Sequence, residues 1–156
     1  MKISFRKWIP VILWMLVIFL LSHQDASRSG ALSSGLLSRI LSLLAPFLPP
    51  KLPLPLLHLV LRKGAHFTAY LILSLLVLRT LEDIPRGFRL KALLLCAFYA
   101  VTDEFHQTFI PGRAGLVTDV LIDTSGAALG ILLQWGGTRL RHGKPKNRAL
   151  EPRKAS

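Results

Sequence analysis

Four long apolar stretches constrain the fold of this chain more than any other feature of its sequence. They cover residues 5–22, 56–80, 90–110 and 116–135, and basic or Pro/Gly-rich segments separate them. A helix needs ~20 mostly apolar residues to cross a bilayer. Of the 156 residues, 51% are hydrophobic and only 18% are charged, which is too apolar for a water-soluble domain of this length. The sequence therefore predicts an all-α integral membrane protein with a bundle of four transmembrane helices.

A further helix is predicted in the loop between the first and second spans, within residues 29–55. Leucines and Ile40 recur at helical spacing on one face of this segment and serines on another, and a Pro-rich stretch follows. An amphipathic helix of this kind either lies in the membrane interface or re-enters the membrane as a lid over a site. The sequence leaves both arrangements open.

The basic residues predict the orientation of the spans. Of 20 lysines and arginines, three lie before or at the start of the first span, four lie between the second and third spans or at their facing ends, and seven follow the fourth. Such an excess marks the cytoplasmic side, so we expect both termini in the cytoplasm. Residues 1–136 then form a membrane domain, and residues 137–156 form a disordered basic tail. No aromatic or fold signal of nucleic-acid binding accompanies the net charge of +12, so nucleic acid is not an expected partner.

Charged and polar side chains interrupt the last three spans at a common depth. At ~1.5 Å of rise per residue, they lie roughly 5 to 15 Å below the outer boundary. Helical spacing also places most of them on one face of each helix. The three stripes are Lys63, His66 and Tyr70; Tyr99, Asp103 and His106, with Glu104 and Gln107 a quarter-turn away; and Asp119, Asp123, Gly126 and Gly130. Because charges are costly in hydrocarbon, the stripes predict one polar chamber that opens outward.

The loop FIPGRAG joins the third and fourth spans. It is short, and Pro111 with Gly112 favours a tight turn. The two spans are therefore expected to be antiparallel neighbours, with Arg113 held above the acidic residues. Gly126 and Gly130 form a Gly-x-x-x-Gly step, which lets helix backbones approach closely.

Three motifs in these spans carry a resemblance to a known family. They read RKGAHFTAY at residues 62–70, TDEFHQTFIPGR at 102–113 and DVLIDTSGAALG at 119–130. In order and spacing they resemble the VanZ-like family, whose founding member is associated with resistance to the glycopeptide antibiotic teicoplanin. The resemblance covers all four spans and implies a protein of the bacterial cytoplasmic membrane. Asp123 stands where the family more often has Asn, and His23 replaces a Ser, so the founding member's substrate is not carried over.

One functional interpretation is the binding of an anionic lipid. Teicoplanin carries a lipid tail and acts on lipid-linked cell-wall precursors. Arginine and lysine at an outward-facing chamber could hold the phosphate of such a lipid. The expected partners are membrane lipids, among them polyprenyl-phosphate-linked envelope precursors. The candidate binding residues are Arg62, Lys63, Tyr70, Gln107, Arg113, Asp119 and Asp123.

Enzymatic, metal-binding and purely structural interpretations use the same residues. In an intramembrane hydrolase or transferase, Asp103 or Glu104 would act as general base and His106 as general acid, with His66 a further candidate. His66 and His106 could instead bind a divalent metal together with Asp103 and Asp119, although no cofactor follows from the sequence. Finally, the charges of these acidic and basic residues nearly cancel, so the residues could form a network of buried ion pairs with a purely structural role. The oligomeric state and the reaction, if any, stay open.

Overall fold

The computed structural model describes residues 5–44, 53–82 and 87–142, and these ranges are helical with no strand. A 3-10 turn at Phe5–Trp8 leads into the first helix. The five α-helices are α1 (Ile9–Ser22), α2 (Ala26–Leu44), α3 (Leu54–Leu81), α4 (Phe88–Gln107) and α5 (Val117–His142). The predicted all-helical class is therefore confirmed, and a helix does form between the first two apolar stretches.

Three helical segments are long and apolar enough to cross a membrane. They are Phe5–Ser22, Leu54–Leu81 and Val117–Leu140. Helix α4 is less apolar because four charged residues interrupt it, namely Arg89, Lys91, Asp103 and Glu104. The prediction of a membrane protein is confirmed at this level, and a fourth span through α4 stays a prediction.

The helix boundaries differ modestly from the predicted spans. Helices α3 and α4 each begin two residues earlier than predicted, at Leu54 and Phe88. Helix α5 continues to His142, beyond the predicted end of the fourth span at residue 135. The remainder of the predicted basic tail, residues 143–156, and most of the Pro-rich stretch, residues 45–52, lie outside the described residues.

The directions of the helices follow from contacts along their lengths. Trp14 Nε1 on α1 donates to the carbonyl of Ala69 on α3 at 2.9 Å, and the Thr80 hydroxyl donates to the carbonyl of Lys7 at 3.0 Å. Helix α1 is therefore antiparallel to α3. The Tyr99 hydroxyl on α4 donates to the carbonyl of Met15 at 2.7 Å. Nearer the C-terminal ends of the same two helices, the Ser22 hydroxyl donates to Asp103. Helices α1 and α4 are therefore parallel.

Helices α3 and α5 run parallel and form the most extensive contact in the bundle. Gly126 packs against the carbonyl of Phe67, and Gly130 packs against the carbonyl of Leu71 and the hydroxyl of Ser74. A β-carbon at either glycine would collide with the α3 backbone. The Gly-x-x-x-Gly step therefore packs within the bundle, as its small side chains allow.

The core is apolar towards one end of the bundle and polar towards the other. Val11, Leu73, Val77 and Cys96 are fully buried. Many large apolar side chains, such as Phe98 on α4, are exposed on the outside of the helices. An apolar exterior around buried charged groups is the arrangement expected of a membrane bundle, because its exterior faces lipid and its polar groups face one another.

Candidate functional site

The polar residues meet at the end of the bundle where α1 and α4 end and α3 and α5 begin. His23, just after α1, lies 3.1 Å from His106 near the end of α4, measured between Nδ1 and Nε2. The backbone N–H of Ala26, at the start of α2, donates to the carbonyl of Pro111 at 3.3 Å. We call this end of the bundle the site end.

A tight turn between α4 and α5 places Arg113 at the site end. Gly112 has a φ of 73°, which a residue with a β-carbon rarely adopts, and Gly115 packs against the carbonyl of Glu104. Arg113 Nη1 donates to Gln107 Oε1 at 3.2 Å, and Nη2 donates to the carbonyl of Leu21 at 3.3 Å. The turn thus joins α4 to α5 as antiparallel neighbours and directs the guanidinium towards α1 and α4.

Two buried acids of α4 are held by neighbouring donors. Asp103 Oδ2 accepts from the Ser22 hydroxyl at 2.9 Å and from Gln107 Nε2 at 3.3 Å. Glu104 Oε1 accepts from the same Gln107 nitrogen at 3.0 Å, and Glu104 Oε2 accepts from the backbone N–H of Leu116 at 2.9 Å. Asp103 Oδ1 has no hydrogen-bond partner among the described residues.

Two cation–acid pairs join α3 to α5. Lys63 forms an ion pair with Asp119, and His66 Nδ1 lies 3.2 Å from Asp123 Oδ1. Asp123 is 0% exposed, and neither of its carboxylate oxygens has a hydrogen bond within the described part of the chain. The His66–Asp123 pair is therefore within ion-pair distance but is not aligned for a hydrogen bond.

His106 faces α1, and it does not lie in the cluster around His66. Its ring centroid lies 4.8 Å from that of Phe19 and 5.4 Å from that of His23. Within the described ranges, the group whose donor atoms could surround a metal ion consists of His66, Glu104 and Asp123. Of the four metal ligands considered from the sequence, only His66 belongs to this group.

Tyr70 is 1% exposed, and its hydroxyl has no hydrogen-bond partner in the described structure. The nearby Tyr99, whose ring centroid lies 6.1 Å away, has its hydroxyl bonded to α1. A buried hydroxyl without a hydrogen-bond partner is costly. The Tyr70 hydroxyl is therefore available to donate a hydrogen bond, whereas the Tyr99 hydroxyl already donates one.

A cavity of about 270 Å³ opens between α1, α2 and α3 at the site end. Ile18, Leu32, Leu36 and Leu61 contribute to its apolar wall, and its polar lining includes Ser22, Arg62, His66, Tyr70, Asp103 and Arg113. A second cavity, of about 490 Å³, lies beside the first half of α2 and shares Ser29, Ser33, Arg62 and Arg113 with the first. We call the two cavities together the α2 groove.

Arg62 and Arg113 are the cations of the α2 groove. Neither forms an ion pair with a carboxylate in the ranges that the structure describes. Burial, followed by the neighbouring guanidinium of Arg62, lowers the pKa of Arg113 from its ordinary value. An arginine nevertheless stays protonated in proteins, so the groove carries two positive charges that no carboxylate of the described residues pairs with.

Several residues of the site were not among the site residues predicted from the sequence. Ser22 holds Asp103 across a separation of 81 residues, and the backbone N–H of Leu116 holds Glu104. The available signal for Ser22 was the polar cluster SHQD at the end of the first apolar stretch. The serines of α2 that line the groove, Ser29 and Ser33, carried no signal beyond their helical spacing.

Comparison with known families identifies the family of this chain. The model of a family described as VanZ/LLP1 matches residues 7–138, a range that contains every residue of the site. No curated protein and no solved structure matches the chain.

Proposed function

Because the chain belongs to the VanZ/LLP1 family, we propose that it binds an anionic lipid of the bacterial cell envelope in the α2 groove. Its apolar helices make it a membrane protein. The phosphate of the lipid lies against Arg62 and Arg113, and the start of its hydrocarbon chain lies against the leucines of α2 and α3. The protein is a multi-pass protein of the bacterial cytoplasmic membrane, with the site end facing outward.

The observation that carries this proposal is the pair of arginines beside an apolar cavity. Lys63, another cation at the site end, is already paired with Asp119, whereas the two arginines have no carboxylate partner among the described residues. A guanidinium binds phosphate through two parallel hydrogen bonds. Two guanidiniums side by side repel each other, and an anion between them removes that repulsion.

The groove has the composition that a lipid headgroup requires. Binding pockets for small ligands are mostly apolar, with a few polar groups that fix orientation. Here Leu32, Leu36 and Leu61 supply apolar wall, and the arginines supply the polar contacts. Polyprenyl-phosphate-linked precursors combine a phosphate, which suits the arginines, with a long apolar chain, which suits the leucine wall. Binding of such a precursor would also alter the amount of target that teicoplanin meets.

A second candidate is hydrolysis or group transfer at a lipid-linked phosphate ester. The observation that favours it is that His66 and the partly unbonded carboxylate of Asp103 line the same cavity as the arginines. In such a reaction Asp103 would act as the general base and the arginines would stabilise negative charge on the phosphate. His106 contacts α1 instead, so His66 is the better placed histidine for proton transfer.

Mass spectrometry of lipids bound to the purified protein tests both candidates. The wild-type chain in lipid nanodiscs is incubated with polyprenyl phosphate and with a bacterial envelope lipid extract. Arg113→Gln and Arg62→Gln should each reduce bound polyprenyl phosphate by at least ~10-fold, the loss expected when a charged hydrogen bond worth about 1.5–3 kcal/mol is removed. Arg39→Gln is the matched control, because Arg39 is an exposed residue of α2 that lies outside both cavity linings.

The outcomes separate the candidates. Equal amounts of anionic lipid on the wild type and both groove variants would contradict the lipid-binding proposal. A converted lipid that disappears with Asp103→Asn would establish the enzymatic candidate. An unchanged lipid that is lost in the groove variants and kept in the Arg39 control would establish binding without turnover.

A further inference from the structure

We propose that His66, Glu104 and Asp123 form a binding site for one divalent transition-metal ion. Helices α3, α4 and α5 each contribute one of these residues, and one donor atom of each lies within 4.8 Å of the other two. The site goes beyond the proposed lipid binding, which rests on the arginines and not on this cluster.

The donor atoms of the three residues lie close enough together to approach one ion. Zinc binds nitrogen and carboxylate oxygen at ~2.0–2.2 Å, so two ligands on opposite sides of one ion lie at most ~4.4 Å apart. The three donor atoms all lie within 4.8 Å of one another, which is close to this limit.

The bonding of Asp123 is the independent observation that points to a cation. Asp123 is 0% exposed, and neither carboxylate oxygen has a hydrogen bond among the described residues. Its contact with a cationic residue is with the imidazole of His66, 3.2 Å away, whereas Asp119 pairs with Lys63, and Asp103 and Glu104 accept hydrogen bonds from Gln107. A fully buried carboxylate without hydrogen bonds is costly, and a bound cation supplies the missing interactions.

The charge and type of the donors select the kind of ion. Two carboxylates and a neutral imidazole balance the charge of one divalent cation. Imidazole nitrogen suits zinc, iron, copper and nickel, and carboxylate oxygen suits manganese and magnesium. A set of one imidazole nitrogen and two carboxylates therefore favours Zn²⁺ or Mn²⁺ over Ca²⁺, which takes six to eight oxygen ligands.

The site adjoins the α2 groove. His66 lines the cavity of about 270 Å³ together with Asp103 and Arg113. Three protein ligands leave at least one coordination position open, as in catalytic zinc sites. An ion at this cluster could therefore contact a phosphate oxygen or a water in the groove.

Protonated His66 is the competing source of positive charge. In that case the imidazolium alone would face Asp123, and its nitrogen at 3.2 Å from the carboxylate is compatible with such a pair. The two arrangements differ in one measurable respect, since the metal site binds an ion and the imidazolium pair excludes it.

Metal binding by the full chain in detergent micelles tests the proposal. The protein is stripped with a chelator and titrated separately with ZnCl₂ and MnCl₂, and calorimetry gives the stoichiometry and affinity. We expect about one tightly bound Zn²⁺ or Mn²⁺ per chain and a metal-dependent rise in Tm, because a ligand of the folded state stabilises that state. His66→Gln and Asp123→Asn should weaken the affinity by at least ~10-fold and abolish the rise in Tm.

His106→Gln is the matched control, because it removes an imidazole of the same molecule that contacts His23 and not the cluster. Its affinity should equal that of the wild type. Absence of binding to the wild type, wild-type affinity in His66→Gln, or loss of binding in His106→Gln would each overturn the proposal. If Asp123→Asn does not fold, His66→Gln alone decides the question.

The metal and lipid proposals fail separately. Arg113→Gln should keep the wild-type affinity for the ion and lose the lipid. Loss of the ion in this variant would overturn the assignment of ligands, whatever happens to lipid binding.

Discussion

Gly126 shows at the scale of one residue how the α3–α5 contact sets the position of the site. Its α-carbon packs against the carbonyl of Phe67, and this close approach brings the two helices together next to the His66–Asp123 pair. Because the neighbouring atoms belong to the backbone, they cannot rotate out of the way as a flexible side chain could. The glycine therefore determines the distance between two helices that both carry residues of the site.

Gly126→Ala should lower the free energy of unfolding by about 1–3 kcal/mol, the usual cost of adding a group to a packed interior. Thermal unfolding in detergent micelles, followed by circular dichroism, measures the change. Gly64→Ala is the matched control, since nothing lies within 4 Å of a β-carbon added there, and alanine favours a helix by up to ~1 kcal/mol. A Gly126→Ala protein as stable as the Gly64→Ala protein would contradict the proposed packing role.

At the scale of the helix, α2 depends on Asp25 for its start. Asp25 Oδ1 accepts from the Ser27 hydroxyl at 2.6 Å and from the backbone N–H of Arg28 at 2.8 Å. The bond from Arg28 satisfies a donor that the first turn of a helix leaves free, and both bonds lower the pKa of Asp25 from its ordinary value of 3.8. Helix α2 packs on α3 and forms one wall of the groove. By capping the start of α2, Asp25 therefore stabilises that wall.

Asp25→Ala should increase hydrogen exchange in the first turn of α2, whereas Asp25→Asn should preserve slow exchange because asparagine is also a good N-cap. The pH dependence follows from the lowered pKa. The stabilisation of the first turn is present above the unfolded-state pKa of Asp25 and is lost as the pH falls through the lower folded-state pKa. Exchange measured by mass spectrometry that is equal in wild type and Asp25→Ala would disprove the capping role.

Across the whole molecule, the charges of the two ends are very different. The site end carries the four buried acids and the groove arginines, and the opposite end carries Arg79, Arg89 and Lys91 next to the termini of the spans. Because cytoplasmic ends of membrane proteins are rich in lysine and arginine, we propose that the site end faces outward. The lipid that reaches the groove would then come from the outer leaflet.

Cysteine labelling in intact cells checks this orientation. In a Cys96→Ala background, a membrane-impermeant maleimide should label Ser27→Cys, which is exposed at the site end, without permeabilisation. Glu82→Cys, exposed at the opposite end, should be labelled only after the cells are permeabilised. The reverse pattern would place the site end in the cytoplasm and would exclude an outer-leaflet lipid as the ligand.

The sequence by itself determined the class of the protein and the face on which each polar residue lies. The length of an apolar stretch is enough to predict a membrane helix, and the helical repeat is enough to align Lys63 with His66 and Asp119 with Asp123. Both properties depend on residues close together in the chain, so no tertiary information was needed. The three motifs also pointed to the family that the match over residues 7–138 establishes.

Only the tertiary structure decided which residues meet. The pairing of Lys63 with Asp119, the contact of His106 with His23 and the bond from Ser22 to Asp103 depend on the rotation and axial offset of whole helices. Those quantities come from packing, such as the contact of Gly126 with α3, which a periodic pattern does not encode. The same packing gathers one candidate ligand from each of α3, α4 and α5, and within the described part of the chain it leaves Asp123 buried without a hydrogen bond.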